Sequence, residues 1–242
     1  MSNLHIAVVG AAGRTGSRIV ALAQRDERVT LTGAVVRDSS PLVGSPVDAA
    51  RPSLRYTALR DTPPPRVVID FSTPSALADN AAFAARHHAG LVVGTTGLSS
   101  DHAEIMRATA AIVPVLHTPN TSIGVAAVAR VIADLARTLG PSYSVSIVDI
   151  HHVHKKDAPS GTAKRLAASL RAAGASIADD QIESRREGEV VGTHIITLTG
   201  PGESVEVIHK ATTRDLFALG AIRAAKWLAE KKPGLYTIED TI

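Results

Sequence analysis

Short uninterrupted apolar runs alternate with helix-length segments through the first half of the chain. The runs are Leu4 to Val9, Val29 to Val36, Val67 to Phe71 and Leu91 to Val93, and the segments between them include Arg14 to Ala23 and Ser75 to Arg86. A strand buried on both faces needs no polar alternation, so this rhythm predicts a parallel sheet covered by helices on either side, the doubly wound α/β class of the Rossmann type. Between Asp38 and Arg66 the rhythm fails, and six prolines, three of them consecutive from Pro63, predict loop with at most short pieces of helix. Val113 to Leu116 predicts another strand. Ile123 to Leu139 carries apolar residues at helical spacing and predicts a long helix, capped by Thr121 or Ser122 and stopped by Gly140-Pro141.

Beyond Pro141 the texture changes. Ser142 to Ile150, His194 to Thr199 and Ser204 to Ala211 alternate polar with apolar, and helices are expected over Gly161 to Ala173 and Asp215 to Glu230. Alternation goes with an open mixed or antiparallel sheet that keeps one face wet. The pattern therefore predicts a second, α+β domain, with the boundary near Thr121.

Composition narrows the function. The 242 residues carry 26 Lys plus Arg against 23 Asp plus Glu, a net charge of +3, and 45% are hydrophobic, enough for a packed core. The absence of cysteine excludes disulfides, thiolate metal sites and a cysteine nucleophile. Aromatic residues are only 3% and the basic residues are scattered, so nucleic acid is not an expected partner. The N-terminus has no signal-peptide pattern and no run approaches the length of about 20 apolar residues that crosses a bilayer, so no membrane association and a cytoplasmic protein are predicted.

The first strand runs into Gly10-Ala11-Ala12-Gly13-Arg14-Thr15-Gly16, a GxxGxxG turn opening a helix. Backbone N–H groups and the positive helix end there suit a pyrophosphate, although an ordinary glycine-rich turn is the competing reading. Arg37 and Asp38 follow the second strand, where a Rossmann fold reads the ribose. An acid there favours a free 2′-hydroxyl and an arginine a 2′-phosphate; with Arg37 first, the order leans to NADP(H), and a solvated pair is the alternative. Gly94-Thr95-Thr96-Gly97 and Thr118-Pro119-Asn120 sit at further strand ends, where ligands of parallel sheets bind, or are plain turns.

The densest constellation runs from Asp149 to Thr162. His151, His152, His154, Lys155 and Lys156 precede Pro159, Ser160, Gly161 and Thr162 at a predicted helix start. Histidine can donate a proton near neutral pH, lysine can hold an anion, and the Ser160-Gly161-Thr162 amides can receive a carboxylate. The set describes an anionic substrate protonated during reaction. A solvated polar loop is the plain alternative. Zinc is disfavoured, since His151, His152 and His154 could not all point one way on a strand and no thiolate or carboxylate pair completes a shell, so no metal is expected. A Ser160 nucleophile lacks the G-x-S-x-G elbow. A short-chain dehydrogenase would need Tyr-x-x-x-Lys, but Arg60, Ile147 and Asp240 stand four residues after the three tyrosines. A non-catalytic dinucleotide sensor would have no use for His151 and Lys155.

These motifs, from the GxxGRxG turn through Asp70-Phe71-Ser72 and Pro74 to His151–Ala163, Gly192-Thr193-His194, His209-Lys210-Ala211 and Gly234-Leu235-Tyr236, resemble the dihydrodipicolinate reductase family over almost the whole chain. The resemblance implies NAD(P)H-dependent reduction of 4-hydroxy-tetrahydrodipicolinate, a cyclic imine dicarboxylate, in diaminopimelate and lysine biosynthesis. A reductase of a different cyclic imine on the same scaffold stays open. The resemblance also implies a dinucleotide-binding domain of residues 1–121 and 213–242, and a substrate-binding and oligomerisation domain of residues 122–212 that builds a homotetramer. His151 is implied as proton donor with Lys155 as its partner, and His152, Lys155, Gly161 and Thr162, beside Ser160, as the dicarboxylate set. Gly10 to Thr15, Arg37, Gly94, Thr95, Thr96 and Thr118 to Thr121 are the implied contacts to NADP(H) or NAD(H). The chain departs from the family's usual residues at Thr15, Arg37, Thr121 and Asp149, where methionine, often an acid, phenylalanine and glutamate respectively stand.

Overall fold

The computed structural model describes residues 3–48 and 52–242, and the chain divides into two compact units, residues 1–122 with 215–241 and residues 123–214 with 242. In the first unit the apolar runs become β1 (Leu4–Val9), β2 (Val29–Val35), β4 (Val67–Asp70), β5 (Gly90–Val93) and β6 (Pro114–His117). With β3 (Tyr56–Thr57) and β11 (Gly234–Tyr236) they form one sheet of order β11-β6-β5-β4-β1-β2-β3, parallel throughout. All of β4 and β5 is buried, which is why both strands are continuous apolar runs up to Asp70. On one face α2 (Leu77–Arg86) and α3 (Ser100–Ala110) cover Val9, Val35, Val68, Leu91, Val93 and Val115, adding Leu77, Phe83 and Met106. Elsewhere in this unit α1 (Arg14–Ala23) packs on α6 (Asp215–Leu228), which also touches β4, β5 and β6. Arg18 holds Asp215 with two bonds of 2.7 Å, and Lys226 holds Asp26, pinning α6 to the α1 side. Strand order reverses at β1, which lies between β2 and β4, so the carboxyl ends of β1 and β4 open the crevice where such sheets bind ligands.

The pattern missed α3. Its SDHAEIMRATA segment buries only Met106, Thr109 and Ala110, too thin a stripe to stand out, and its start is fixed locally by reciprocal bonds between Ser99 and His102. The proline-rich stretch holds a turn of 3₁₀ helix at Leu59–Asp61, one of the short helical pieces expected, and the two-residue β3, which was not; its residues 49–51 lie outside the described residues. The Thr121 hydroxyl donates to the Phe217 carbonyl at 2.7 Å.

The second unit is a mixed four-stranded sheet with two helices, α4 (Ile123–Leu139) and α5 (Gly161–Ala172). Its strands are β7 (Ser144–His151), β8 (Ile182–Arg186), β9 (Gly192–Gly200) and β10 (Glu203–Ala211), in the order β10-β9-β7-β8. β9 is antiparallel to both neighbours and β8 is parallel to β7. Ile147, Ile196 and Leu198 face inward against Val125, Ala129 and Ile132 of α4 and Leu166 and Leu170 of α5. Each such fully buried aliphatic contributes about 1.5–3 kcal/mol. Side chains alternate, so Val148, Ile150, Ile195 and Ile208 lie on the opposite face, only partly covered or exposed. No helix among the described residues is long and apolar enough to cross a membrane.

Candidate functional site

In the first unit the glycine turn follows β1. Gly10, at φ +77°, occupies backbone space that a side chain could not, since a Cβ there would sit 2.4 Å from the Phe71 carbonyl oxygen; a Cβ on Gly16 would sit 2.1 Å from that of Gly10. The Gly10 and Ala11 N–H groups turn inward and donate to the Val35 carbonyl, and Gly13 N–H donates to that of Gly10. Those three amides hold the turn's shape. α1 then starts with neither a side-chain cap nor an acid in its first turn, and Arg14 stands there, so its positive end favours an anion.

Arg14 and Thr15 open onto a cavity of about 340 Å³ whose wall also includes Gly94, Thr95, Thr96, Pro119, Asn120 and Thr121. Three strand ends that together span more than a hundred residues of chain thus converge. Phe71, Ser72 and Phe217 complete the wall. Gly10, Ala11, Ala12, Gly13, Arg37 and Thr118 are outside it; Thr118 is buried and ties its own turn by donating to the Asn120 carbonyl at 2.7 Å. Sequence reasoning gave Asp70 no role. It is fully buried, and its Oδ1 accepts from Ser72 N–H, the Ser72 hydroxyl and the Thr95 hydroxyl at 2.9, 2.5 and 3.1 Å, fixing two of the wall residues. Arg37 is exposed beside Asp38, whose carboxylate is held by Arg60. A glycine turn leading to an acid-free helix start at the switch point of a parallel sheet defines the class, an α/β dinucleotide-binding protein.

In the second unit, alternation on β7 puts Asp149 and His151 on the inner face. Strand register sets His194 opposite Asp149 and His209 opposite His194, a polar row next to the aliphatic row of Ile147, Ile196 and Val207. Asp149 is fully buried; its Oδ1 lies 3.0 Å from His151 Nδ1 and 3.3 Å from His194 Nε2. Ser160 donates to it twice, from N–H at 2.9 Å and from the hydroxyl at 2.8 Å. Burial alone would raise the Asp149 carboxyl, but the two rings and the Ser160 donors outweigh it and hold the group far below the usual carboxylate range. Burial, then His194, lowers His209.

Ser160 caps α5, with its hydroxyl accepting from Ala163 N–H at 3.1 Å, and its own two hydrogens go to Asp149, so both its N–H and its hydroxyl support the helix start. Gly161 and Thr162 are the first helical residues behind it. Lys155 Nζ sits on both oxygens of Asp157 at 2.7 and 2.8 Å and holds that carboxyl below its ordinary value. His152 lies 3.3 Å from the Arg214 guanidinium, and loss of solvent followed by that charge pushes it down. His154 is exposed, within 3.8 Å of Glu189. Only His151 of the three histidines belongs to a strand. The donor atoms of Asp149, His151 and His194 lie within 4.8 Å of one another, a trio that spacing along the chain did not suggest because His194 comes from another strand.

Residues 4–121 match the family described as dihydrodipicolinate reductase, N-terminus, and residues 124–242 the one described as dihydrodipicolinate reductase, C-terminus. The 4-hydroxy-tetrahydrodipicolinate reductase of Oleidesulfovibrio alaskensis is 38% identical, covering 99% of this chain and 100% of its own, and that of Anaeromyxobacter dehalogenans is 39% identical, covering 98% and 97%. Dipicolinate-bound dihydrodipicolinate reductase from Paenisporosarcina sp. TG-14 superposes with a TM-score of 0.81 at 22% identity over 99% of this chain and 100% of that one, a likeness of fold. The chain belongs to the dihydrodipicolinate reductase family. Its cofactor is NADP(H) or NAD(H).

Proposed function

We propose that the protein reduces 4-hydroxy-tetrahydrodipicolinate to tetrahydrodipicolinate with NAD(P)H, a step of diaminopimelate and lysine biosynthesis, and that His151 is the proton donor. The observation that carries this reading is the seating of His151 at the end of β7, against a buried carboxylate and a few residues from the Lys155 ammonium and the α5 start. Residues 1–121 and 213–242 form the dinucleotide-binding domain and residues 122–212 the substrate-binding and oligomerisation domain. The glycine cradle at Gly10 and Gly16 and the cavity next to it fit a dinucleotide, with Gly10 to Thr15, Gly94 to Thr96 and Thr118 to Thr121 around it. Reduced nicotinamide supplies the hydride when bound. His151 delivers a proton to the enamine carbon left after loss of water and reduction. Lys155, released from Asp157, and His152 neutralise the substrate carboxylates, and the Gly161 and Thr162 amides at the α5 start receive one of them.

Metal plays no part in this reading, since Asp149 already accepts both Ser160 hydrogens and the hydride comes from the cofactor. A cytoplasmic location goes with such a biosynthetic role. So does a homotetramer, supported by the aliphatic outer face of the second sheet. The test is loss of reduced-nicotinamide absorbance with enzymatically generated 4-hydroxy-tetrahydrodipicolinate. His151→Gln is expected to lower turnover about 10²–10⁴-fold, the contribution of a positioned acid, with cofactor affinity unchanged. Near-normal turnover in that variant removes His151 from the role, and oxidation seen only with another cyclic imine reassigns the substrate.

A further inference from the structure

We infer that Asp149 is a positioning residue for the reaction: together with Gly192 it seats His151 so that Nδ1 stays on the buried carboxylate and Nε2 is the nitrogen that gives up the proton. This rests on the reading of His151 as donor. Asp149 would be a poor choice for mere support of a helix start, because Ser160 already caps α5 through Ala163, and burying a carboxylate is costly unless it is fully engaged. Ser160 engages it on one side and two imidazoles face it on the other. Ser160 supplies two hydrogens that fix both carboxylate oxygens, and Oδ1 then lies 3.0 Å from His151 Nδ1. That contact has hydrogen-bond length without hydrogen-bond angle, and Nδ1 is sealed from solvent with nothing else to bond to. A small rotation of the ring completes it, as often happens when an open site fills.

The other side of the ring is shaped by an absence. Gly192 opens β9, and a Cβ there would stand 2.9 Å from His151 Nε2 and 3.4 Å from Cδ2, so the glycine keeps a notch in front of that nitrogen. The His194 ring meets His151 edge-on, with centroids 5.4 Å apart at 71°. Asp149 on β7 and Gly192 and His194 on β9 therefore fix the imidazole, leaving the residue 8% exposed although Nδ1 is enclosed. Donation breaks the Nε2–H bond and forms a C–H bond from the enamine electron pair; the ring left behind is neutral, keeps its Nδ1–H on Asp149, and regains a proton from solvent. The other groups around His151 are His194 on β9, Arg186 on β8 with Nη1 3.9 Å from Asp149 Oδ2, His209 beyond His194 on β10, and Lys155 and His152 in the following loop.

The experiment compares full-length wild type, Asp149→Asn, Asp149→Glu and His151→Gln in the coupled NADPH assay across the neutral pH range. Asp149→Asn is expected to lower kcat about 10–100-fold, as when the carboxylate behind a working histidine is lost, with KM for NADPH unchanged. Asp149→Glu, which keeps the carboxylate, is expected to restore kcat. A folded Asp149→Asn that keeps the wild-type kcat while His151→Gln loses turnover overturns the positioning role and spares the donor. His151→Gln that keeps turnover overturns both. Should Asp149→Asn not fold, the wild-type imidazole ¹H–¹⁵N spectrum decides: the signal missing in His151→Gln must belong to an Nδ1–H tautomer at the alkaline end, and an Nε2–H tautomer overturns the inference.

Discussion

Asp38 stands one residue past Arg37 at the carboxyl end of β2, where an acid ordinarily accepts from ribose hydroxyls, yet its carboxylate is held by Arg60 from the turn after β3. Arg60 holds Asp38 and also lies 3.7 Å from Asp61, so of the pair at this edge it is Arg37 that we propose meets a 2′-phosphate. Arg37→Ala is accordingly expected to raise KM for NADPH about tenfold, the equivalent of one charge-assisted contact, while KM for NADH stays put. Saturation curves with both cofactors check this; equal changes for the two would remove Arg37 from phosphate recognition. The linear order Arg37-Asp38 was visible in the sequence, but which of the two is available was not, because Arg60 reaches Asp38 through a bend in a proline-rich stretch that carries no period. Asp70 and His194 were opaque for a related reason. Their importance lies in what they face, Thr95 in one case and Asp149 in the other, across strand pairings that no local spacing encodes.

At the scale of elements, the wall residues Arg14, Thr15, Gly94 to Thr96 and Pro119 to Thr121 were legible because parallel strands end in loops on one edge, whereas Phe71, Ser72 and Phe217 were not assigned to it. β8 was not legible. Its IESRR run buries only Ile182, and its identity as a strand comes from parallel pairing with β7. That unremarked strand carries the residue that shapes the polar loop. Arg186 donates Nη2 to the Asp157 carbonyl at 2.6 Å, Nε to that of Lys155 at 3.3 Å and Nη1 to that of Arg185 at 2.7 Å. A planar fork can bridge several carbonyls at once, and a lysine cannot. Arg186→Ala is therefore expected to loosen the segment holding Lys155 and raise KM for the imine dicarboxylate about tenfold, from one or two lost hydrogen bonds to a charged group. KM for NADPH should not change, and Arg186→Lys should fail to rescue. Steady-state kinetics with each substrate varied in turn will tell; a rise confined to the cofactor would contradict it.

For the whole molecule the open question is what covers the second sheet. Its inner face meets α4 and α5, but Val148, Ile150 and Ile195 on the outer face are only partly covered, and Ile208 on the edge strand β10 is 54% exposed. The same face carries Ser144, Ser146, Glu206 and Lys210, so it is an aliphatic centre with a polar surround, the composition of an interface between copies rather than of a surface meant for water. Alternation alone had predicted one wet face here; the sequence could not show that its middle is β-branched and contiguous, because Val148, Ile150, Ile195 and Ile208 come from three strands brought side by side by register. A charge placed there must be desolvated on assembly through this face. On the homotetramer reading proposed above, Ile208→Asp is thus expected to give smaller species in multi-angle light scattering, with NADPH binding retained because residues 1–121 and 213–242, the proposed dinucleotide-binding domain, are untouched. Smaller species that lose NADPH binding would mean the substitution acts through unfolding, and an unchanged tetramer would place the assembly on another face.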